Sequence, residues 1–125
     1  MVVGVLQFEL HIPGAESLKD KRRVVKSLRD RLHREHLVSV AEVGALDTLN
    51  LAIMGIAVAG SDGARIGRVL DSIDAKLRGM TDAELGSTRR EIIHGQTGES
   101  PADEGLDEDA IAQEMLARVS GEAAS

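Results

Sequence analysis

Residues 2–36 read VVGVLQFELHIPGAESLKDKRRVVKSLRDRLHREH, a strand pattern followed by a helix pattern. Up to position 12 the apolar residues alternate, which predicts a strand with one heavily apolar face. That face carries Leu6, Phe8, Leu10 and Ile12. Pro13-Gly14 ends the strand, and Ser17 with Asp20 three residues later forms a weak version of a helix-capping box. The spacing that follows predicts an amphipathic helix over Leu18–His36.

The pattern from residue 38 to residue 94 adds three strands and a second helix. A short β-branched strand at 38–43 is joined by a hairpin connection to a strand at 51–59 that is apolar on both faces. The second helix has its apolar residues at Ile66, Val69, Leu70, Ile73 and Leu77. Gly79 is its stop residue, and 84–94 form a weaker fourth strand.

The resulting order β-α-β-β-α-β predicts an α+β protein with a ferredoxin-like βαββαβ sandwich. Right-handed crossovers place four antiparallel strands in the order 4-1-3-2, with both helices on one face of the sheet. The opposite face of the sheet is then left open, although the strand at 51–59 is apolar on that side too.

The composition of the 125 residues excludes several classes of function. There is no cysteine, so disulfides, thiolate metal sites and thiol nucleophiles are excluded. There is no Trp or Tyr, and Phe8 is the one aromatic residue, so recognition of bases by aromatic stacking is not expected. No signal-like segment begins the chain and no apolar run approaches ~18 residues, which predicts a cytoplasmic protein and no membrane partner.

The acidic charge is concentrated in the last part of the chain. Residues 96–125 hold eight acidic residues and one arginine, whereas residues 1–95 hold 13 acidic and 14 basic residues. A run of small and polar residues at 95–101 separates the two parts. We therefore expect a ferredoxin-like domain at 1–95 and an acidic flexible tail at 96–125. Within the tail, either a short amphipathic helix forms at 107–119 or the segment stays disordered.

Helix Leu18–His36 carries the densest charge in the domain. Eight Lys and Arg side chains lie between residues 19 and 34, against only Asp20 and Asp30. A spacing of about 100° per residue places most of them away from the apolar stripe. The candidate RNA- or phosphate-binding residues are Lys19, Arg22, Arg23, Lys26, Arg29 and Arg34. The alternative is an ordinary amphipathic helix whose solvent face is rich in Lys and Arg.

Lys21 differs from these residues because its position falls in the middle of the apolar stripe. A lysine there must extend to solvent or find a carboxylate. Glu42, which lies among apolar residues of the second strand, is the natural partner. The sequence therefore predicts a structural ion pair between Lys21 and Glu42, with a binding site at the mouth of the sheet as the alternative.

No catalytic or metal-binding motif is identifiable. His33 and His36 are three residues apart, whereas zinc-binding helices of the His-Glu-x-x-His type place their histidines four apart. The glycine-containing loop at 60–63 lacks the lysine of a phosphate-binding P-loop. We therefore expect a protein that is not an enzyme, with no catalytic residue, no metal site and no cofactor.

Four segments resemble a known family. They are SLKDKRR at 17–23, VSVAEV at 38–43, NLA at 50–52 and GIAV at 55–58. Together they are similar to the YlxP-like family of small bacterial proteins of unknown function, over roughly residues 1–94. The resemblance implies a ferredoxin-like fold, a cytoplasmic location and genes that lie near those of translation-initiation and ribosome-maturation factors. It implies no activity and no catalytic residue.

Two functional hypotheses follow. The first is a non-enzymatic accessory protein that associates with RNA or a ribosomal subunit through the basic face of helix Leu18–His36. Contacts from Lys and Arg to phosphates would make that binding dependent on salt and largely independent of sequence. The alternative is a homo-oligomeric interaction or small-ligand-sensing domain that uses the open sheet face, with a homodimer as its simplest form.

Overall fold

The computed structural model describes residues 1–95, so the acidic tail and the helix expected at 107–119 lie outside the described residues. Residues 1–95 form β1 (Val2–His11), α1 (Leu18–His36), β2 (Ser39–Gly44), β3 (Leu51–Gly60), α2 (Gly63–Arg78) and β4 (Glu84–His94). The strands form one antiparallel sheet in the order β2-β3-β1-β4. The predicted ferredoxin-like topology is confirmed.

The core lies between the sheet and the two helices. From β1 it receives the predicted apolar face, including Leu6, Phe8 and Leu10, which are each at most 2% exposed. The helices contribute Val25, Leu28 and Leu32 from α1, and Ile66, Leu70, Ile73 and Leu77 from α2. At Gly4 the helix α2 approaches β1 so closely that an added Cβ would lie 2.5 Å from Cγ2 of Ile66. Glycine is therefore required at this contact.

Local hydrogen bonds define both ends of α1. The hydroxyl of Ser17 accepts a hydrogen bond from the backbone N–H of Asp20 at 3.1 Å, and the Asp20 carboxylate accepts one from the N–H of Glu16 at 3.1 Å. At the other end, Leu37 adopts the left-handed conformation with φ 54° and donates its N–H to the carbonyl of His33 at 2.9 Å. Glycine usually occupies such a position.

The end of α2 differs from the sequence expectation in one respect. Gly79 follows the last residue of the helix, as predicted, but its φ of −91° is accessible to any residue. The left-handed cap, for which glycine is suited, is instead formed by Leu37 at the end of α1. Helix α2 therefore stops at a glycine without using the conformational freedom of that residue.

Asn50 fixes the loop that leads into α1. Its side-chain amide donates hydrogen bonds to the carbonyls of Ile12 at 3.0 Å and Ala15 at 3.2 Å. Its own carbonyl accepts a hydrogen bond from the N–H of Ile12 at 2.9 Å. The loop between β1 and α1 is thus held against the start of β3. Neither helix within residues 1–95 has the length and apolarity that a lipid bilayer requires of a spanning segment.

Candidate nucleic-acid interface

The outer face of α1 presents all six predicted phosphate-binding residues to solvent. We call this set the basic stripe: Lys19, Arg22, Arg23, Lys26, Arg29 and Arg34, all exposed. The opposite face of α1 is buried through Lys21, Val25, Leu28 and Leu32, which fixes the rotation of the helix about its axis. At 100° and 1.5 Å per residue, the stripe occupies an arc of about 140° and a length of about 22 Å.

Most of the basic stripe is not neutralised by acidic side chains. Arg23 lies 4.0 Å from the carboxylate of Asp20, and Arg29 lies 3.5 Å from that of Asp30. Within residues 1–95, the other four members have no carboxylate within 4.0 Å. Glu35, the third acidic residue of α1, pairs with Lys76 of α2 instead. Four cations on one face of one helix are therefore available to an external anion.

Asp30 lies inside the arc of the basic stripe. By helical spacing it falls between Lys26 and Arg34, and its side chain is 53% exposed. The negative charge of Asp30 lowers the positive electrostatic potential around Lys26 and Arg34, although solvent partly screens this effect. The stripe is thus a cationic surface with one internal negative charge.

The side chain of Lys21 is enclosed under the basic stripe. It is 1% exposed, and its Nζ lies 2.8 Å from Oε2 of Glu42, whose side chain is 15% exposed. The ammonium also donates hydrogen bonds to the carbonyls of Ala45 at 2.6 Å and Leu46 at 3.4 Å. With three oxygen atoms around it, this cation has no donor left for a ligand, so the geometry favours the structural role over a binding site.

The two backbone partners of Lys21 come from the β2–β3 hairpin. Ala45 adopts a left-handed conformation with φ 57°, and its carbonyl also accepts the N–H of Thr48 at 3.0 Å. Lys21 therefore connects the first turn of α1 to the tip of this hairpin. No sequence pattern indicates these partners, because every residue has a backbone carbonyl and only the fold decides which ones point inward.

The open face of the sheet has an apolar groove on the side away from the helices. The groove has a volume of about 360 Å³ and crosses β1, β3 and β2. Its lining includes Val5, Gln7, Ala41, Val43, Gly55 and Ala57. Val43 is 54% exposed, and Ile93 on β4 is 44% exposed on the same face. The absence of a side chain at Gly55 deepens the groove at its centre.

Polar side chains elsewhere in residues 1–95 form surface ion pairs. Arg29, Arg78 and Arg90 donate hydrogen bonds to Asp30, Asp74 and Asp71, and Lys76 pairs with Glu35. In the same residues no three His, Asp or Glu side chains are grouped as metal ligands. His33, which lies near His36 at the end of α1, has its Nδ1 2.9 Å from the carbonyl of Val38.

Comparison with known proteins places this domain among relatives. Residues 3–90 match the family described as "Protein of unknown function (DUF503)". The chain is 31% identical over 90 residues to "Uncharacterized protein YlxP" of Bacillus subtilis (strain 168), and the alignment covers 72% of this chain and 98% of that protein. The family match spans α1 with its basic stripe, as well as Lys21 and Glu42. Both findings agree with the resemblance drawn from the sequence.

Proposed function

This chain belongs to the DUF503 family of proteins of unknown function, and we propose that it is a non-enzymatic accessory protein that binds RNA through the basic stripe of α1. Ribosomal RNA in a ribosomal subunit is one such partner, in keeping with the translation setting that the family resemblance implies. The proposed site of action is the cytoplasm.

The observation that carries the proposal is the set of unpaired cations on α1. The phosphate groups of a nucleic acid recur at a regular spacing along its backbone. A row of cations along one helix face is therefore suited to contact several of them. Each Lys or Arg that contacts a phosphate releases condensed counterions, so binding is favoured by entropy and weakens steeply with salt. Outside α1, residues 1–95 hold six basic and ten acidic residues, a balance that does not favour such a partner.

Charge reversal within the stripe tests the proposal. We expect the double variant Arg23→Glu and Lys26→Glu to lose RNA or ribosome association, because both contacts become repulsive. Its thermal unfolding should stay near that of the wild type, since exposed charges usually change stability by less than about 0.5 kcal/mol. Binding is measured by fluorescence anisotropy with labelled RNA and by co-sedimentation with ribosomal subunits, at two salt concentrations.

The matched control reverses two arginines of α2. Arg65 and Arg68 are also exposed and without a carboxylate within 4.0 Å among residues 1–95, so Arg65→Glu with Arg68→Glu changes the net charge by the same amount. We expect the control to keep most of the affinity. Equal losses in the two double variants would show that net charge, rather than the stripe, controls binding. Unchanged binding in the stripe variant would contradict the proposal.

The open sheet face favours a second function, self-association through a second copy of this chain. Strands β1, β3 and β4 have 10, 10 and 11 residues and β2 has 6. At ~3.3 Å per residue and ~4.8 Å between strands, they present a face of ~600 Å². A biological interface needs about 500 Å² from each partner, so this face is large enough for a dimer. Its apolar groove is the kind of surface that a small protein rarely leaves in water. A ligand held in the groove is the other use of the same face.

A further inference from the structure

We infer that the basic stripe is suited to double-stranded RNA rather than to single-stranded RNA or to DNA. This inference rests on the proposed function and names the class of RNA that the stripe binds. Two features of the domain support it, namely the packing of α1 within the helix layer and the burial of the one aromatic side chain.

The packing of α1 decides how closely it approaches a nucleic acid. Its inner face is buried against the sheet, and it lies in one layer with α2, to which the pair Glu35–Lys76 links it. Apart from Glu35 near its end, the exposed residues of α1 lie on an arc of about 160° that holds the stripe. A helix that reads the major groove of DNA must enter a groove about 12 Å wide, with much of its circumference inside. With less than half of its circumference exposed, α1 can enter such a groove only in part.

A flat row of cations matches a different surface. The minor groove of an A-form RNA duplex is wide and shallow, and proteins recognise it through its shape, its phosphates and its 2′-hydroxyls. The stripe extends for about 22 Å on one face, so its ends and flanks reach phosphates on both sides of such a groove. The narrow, deep major groove of RNA excludes side chains in any case.

The location of Phe8 argues against single-stranded RNA. Proteins that hold single strands stack bases on exposed aromatic side chains, which contribute about 1–3 kcal/mol per base. Phe8 is the only aromatic residue of the chain and is 1% exposed, in the core below the helices. The stripe offers charge and the guanidinium planes of its four arginines, but no Phe, Tyr or Trp ring on which bases could stack. Single strands would therefore be bound without an aromatic platform, and without the fixed geometry of phosphates that a duplex offers.

The test compares four probes on the full-length protein. These are an RNA duplex of about 16 base pairs, each of its two single strands, and the DNA duplex of the same sequence. All four are measured by fluorescence anisotropy at the same low salt concentration. We expect the RNA duplex to bind at least about tenfold more tightly than any other probe, and a change of base sequence in the duplex to have little effect.

The outcomes separate this inference from the proposed function. If a single strand binds as tightly as the RNA duplex, or more tightly, the inference is wrong while RNA binding through the stripe stands. If the DNA duplex binds equally well, the preference for A-form geometry is wrong. If no probe binds, or if Arg23→Glu with Lys26→Glu leaves every affinity unchanged, the proposed function itself fails.

Discussion

Lys21 is the residue whose environment departs most from the ordinary pattern of a small domain. A lysine that is 1% exposed would lose a large hydration free energy unless the fold surrounded it with oxygen atoms. Here a carboxylate and two backbone carbonyls replace the lost water. The carboxylate depends on Lys21 in return, because Oε2 of Glu42 is itself buried. The two residues should therefore behave as one energetic unit.

A double-mutant cycle measures this dependence. We expect Lys21→Met to lower the free energy of unfolding by about 3–5 kcal/mol, because it leaves a buried carboxylate without its counterion. The combined variant Lys21→Met and Glu42→Met should recover much of that loss, since replacing both charges by apolar side chains is often neutral. Urea unfolding followed by far-ultraviolet circular dichroism gives the values. The cycle also needs the single variant Glu42→Met. If the losses of unfolding free energy in the two single variants add up to the loss in the combined variant within about 0.5 kcal/mol, the side chains are not coupled.

For the helices and strands, the features that depend on a few neighbouring residues could be predicted from the sequence. The bounds of α1 follow from the cap at Ser17 and the apolar spacing behind it, and both are local features. The exposed face of α1 was also predictable, since burial of Leu28 and Leu32 leaves the basic stripe only the opposite direction. The pairing of Lys21 with Glu42 could be expected because each charge lies among apolar neighbours and the other is its natural partner.

The contacts that depend on tertiary position were not predictable. The carbonyls of Ala45 and Leu46 around Lys21, and the hold of Asn50 on the loop before α1, involve groups that carry no distinctive sequence pattern. Leu37 gives a clear case, because a left-handed cap normally indicates glycine and here a leucine that is 82% exposed adopts it. Such conformations are set by the chain that follows rather than by the residue itself.

The internal charge of the basic stripe allows a test by gain of binding. We expect Asp30→Asn to tighten RNA binding several-fold at low salt, because it removes the one carboxylate within the arc, and to lose that advantage as salt rises. The control Glu91→Gln makes the same charge change on β4. Glu91 lies opposite Val5 in the sheet register, on the open face of the sheet. Anisotropy titrations at two salt concentrations compare them. An equal gain in both variants, or none in Asp30→Asn, would contradict a local role of the stripe.

Residues 1–95 present two different surfaces on opposite sides of one sheet. The helix side is cationic along α1, and the strand side is apolar around the groove at Gly55. A dimer through the sheet would leave both copies of the basic stripe exposed and facing outward. The two proposed functions are therefore compatible, and a dimer would bind a long RNA more tightly than a single domain through the joint engagement of two sites.

Sedimentation velocity tests the second surface. We expect the full-length protein to form a dimer at high micromolar concentration, and Val43→Asp to shift it to a monomer by placing a charge in the apolar face. Leu37→Asp is the matched control, since it also replaces an exposed apolar side chain but lies at the end of α1, and it should leave the dimer intact. A wild-type protein that stays monomeric over this range would contradict self-association through the sheet.

Phe8 is the only aromatic residue of the chain, and this affects the ultraviolet absorption of the protein. Phenylalanine absorbs weakly in the near ultraviolet, and this chain has no tryptophan or tyrosine to add to it. Nucleic acids absorb strongly in the same region. The purified protein therefore absorbs very little in the region where RNA, its proposed partner, absorbs strongly. Any RNA that remained bound through purification would dominate the absorption spectrum. An absorption scan of the protein taken from cells, before and after nuclease digestion and removal of the released nucleotides, therefore shows whether it carries nucleic acid.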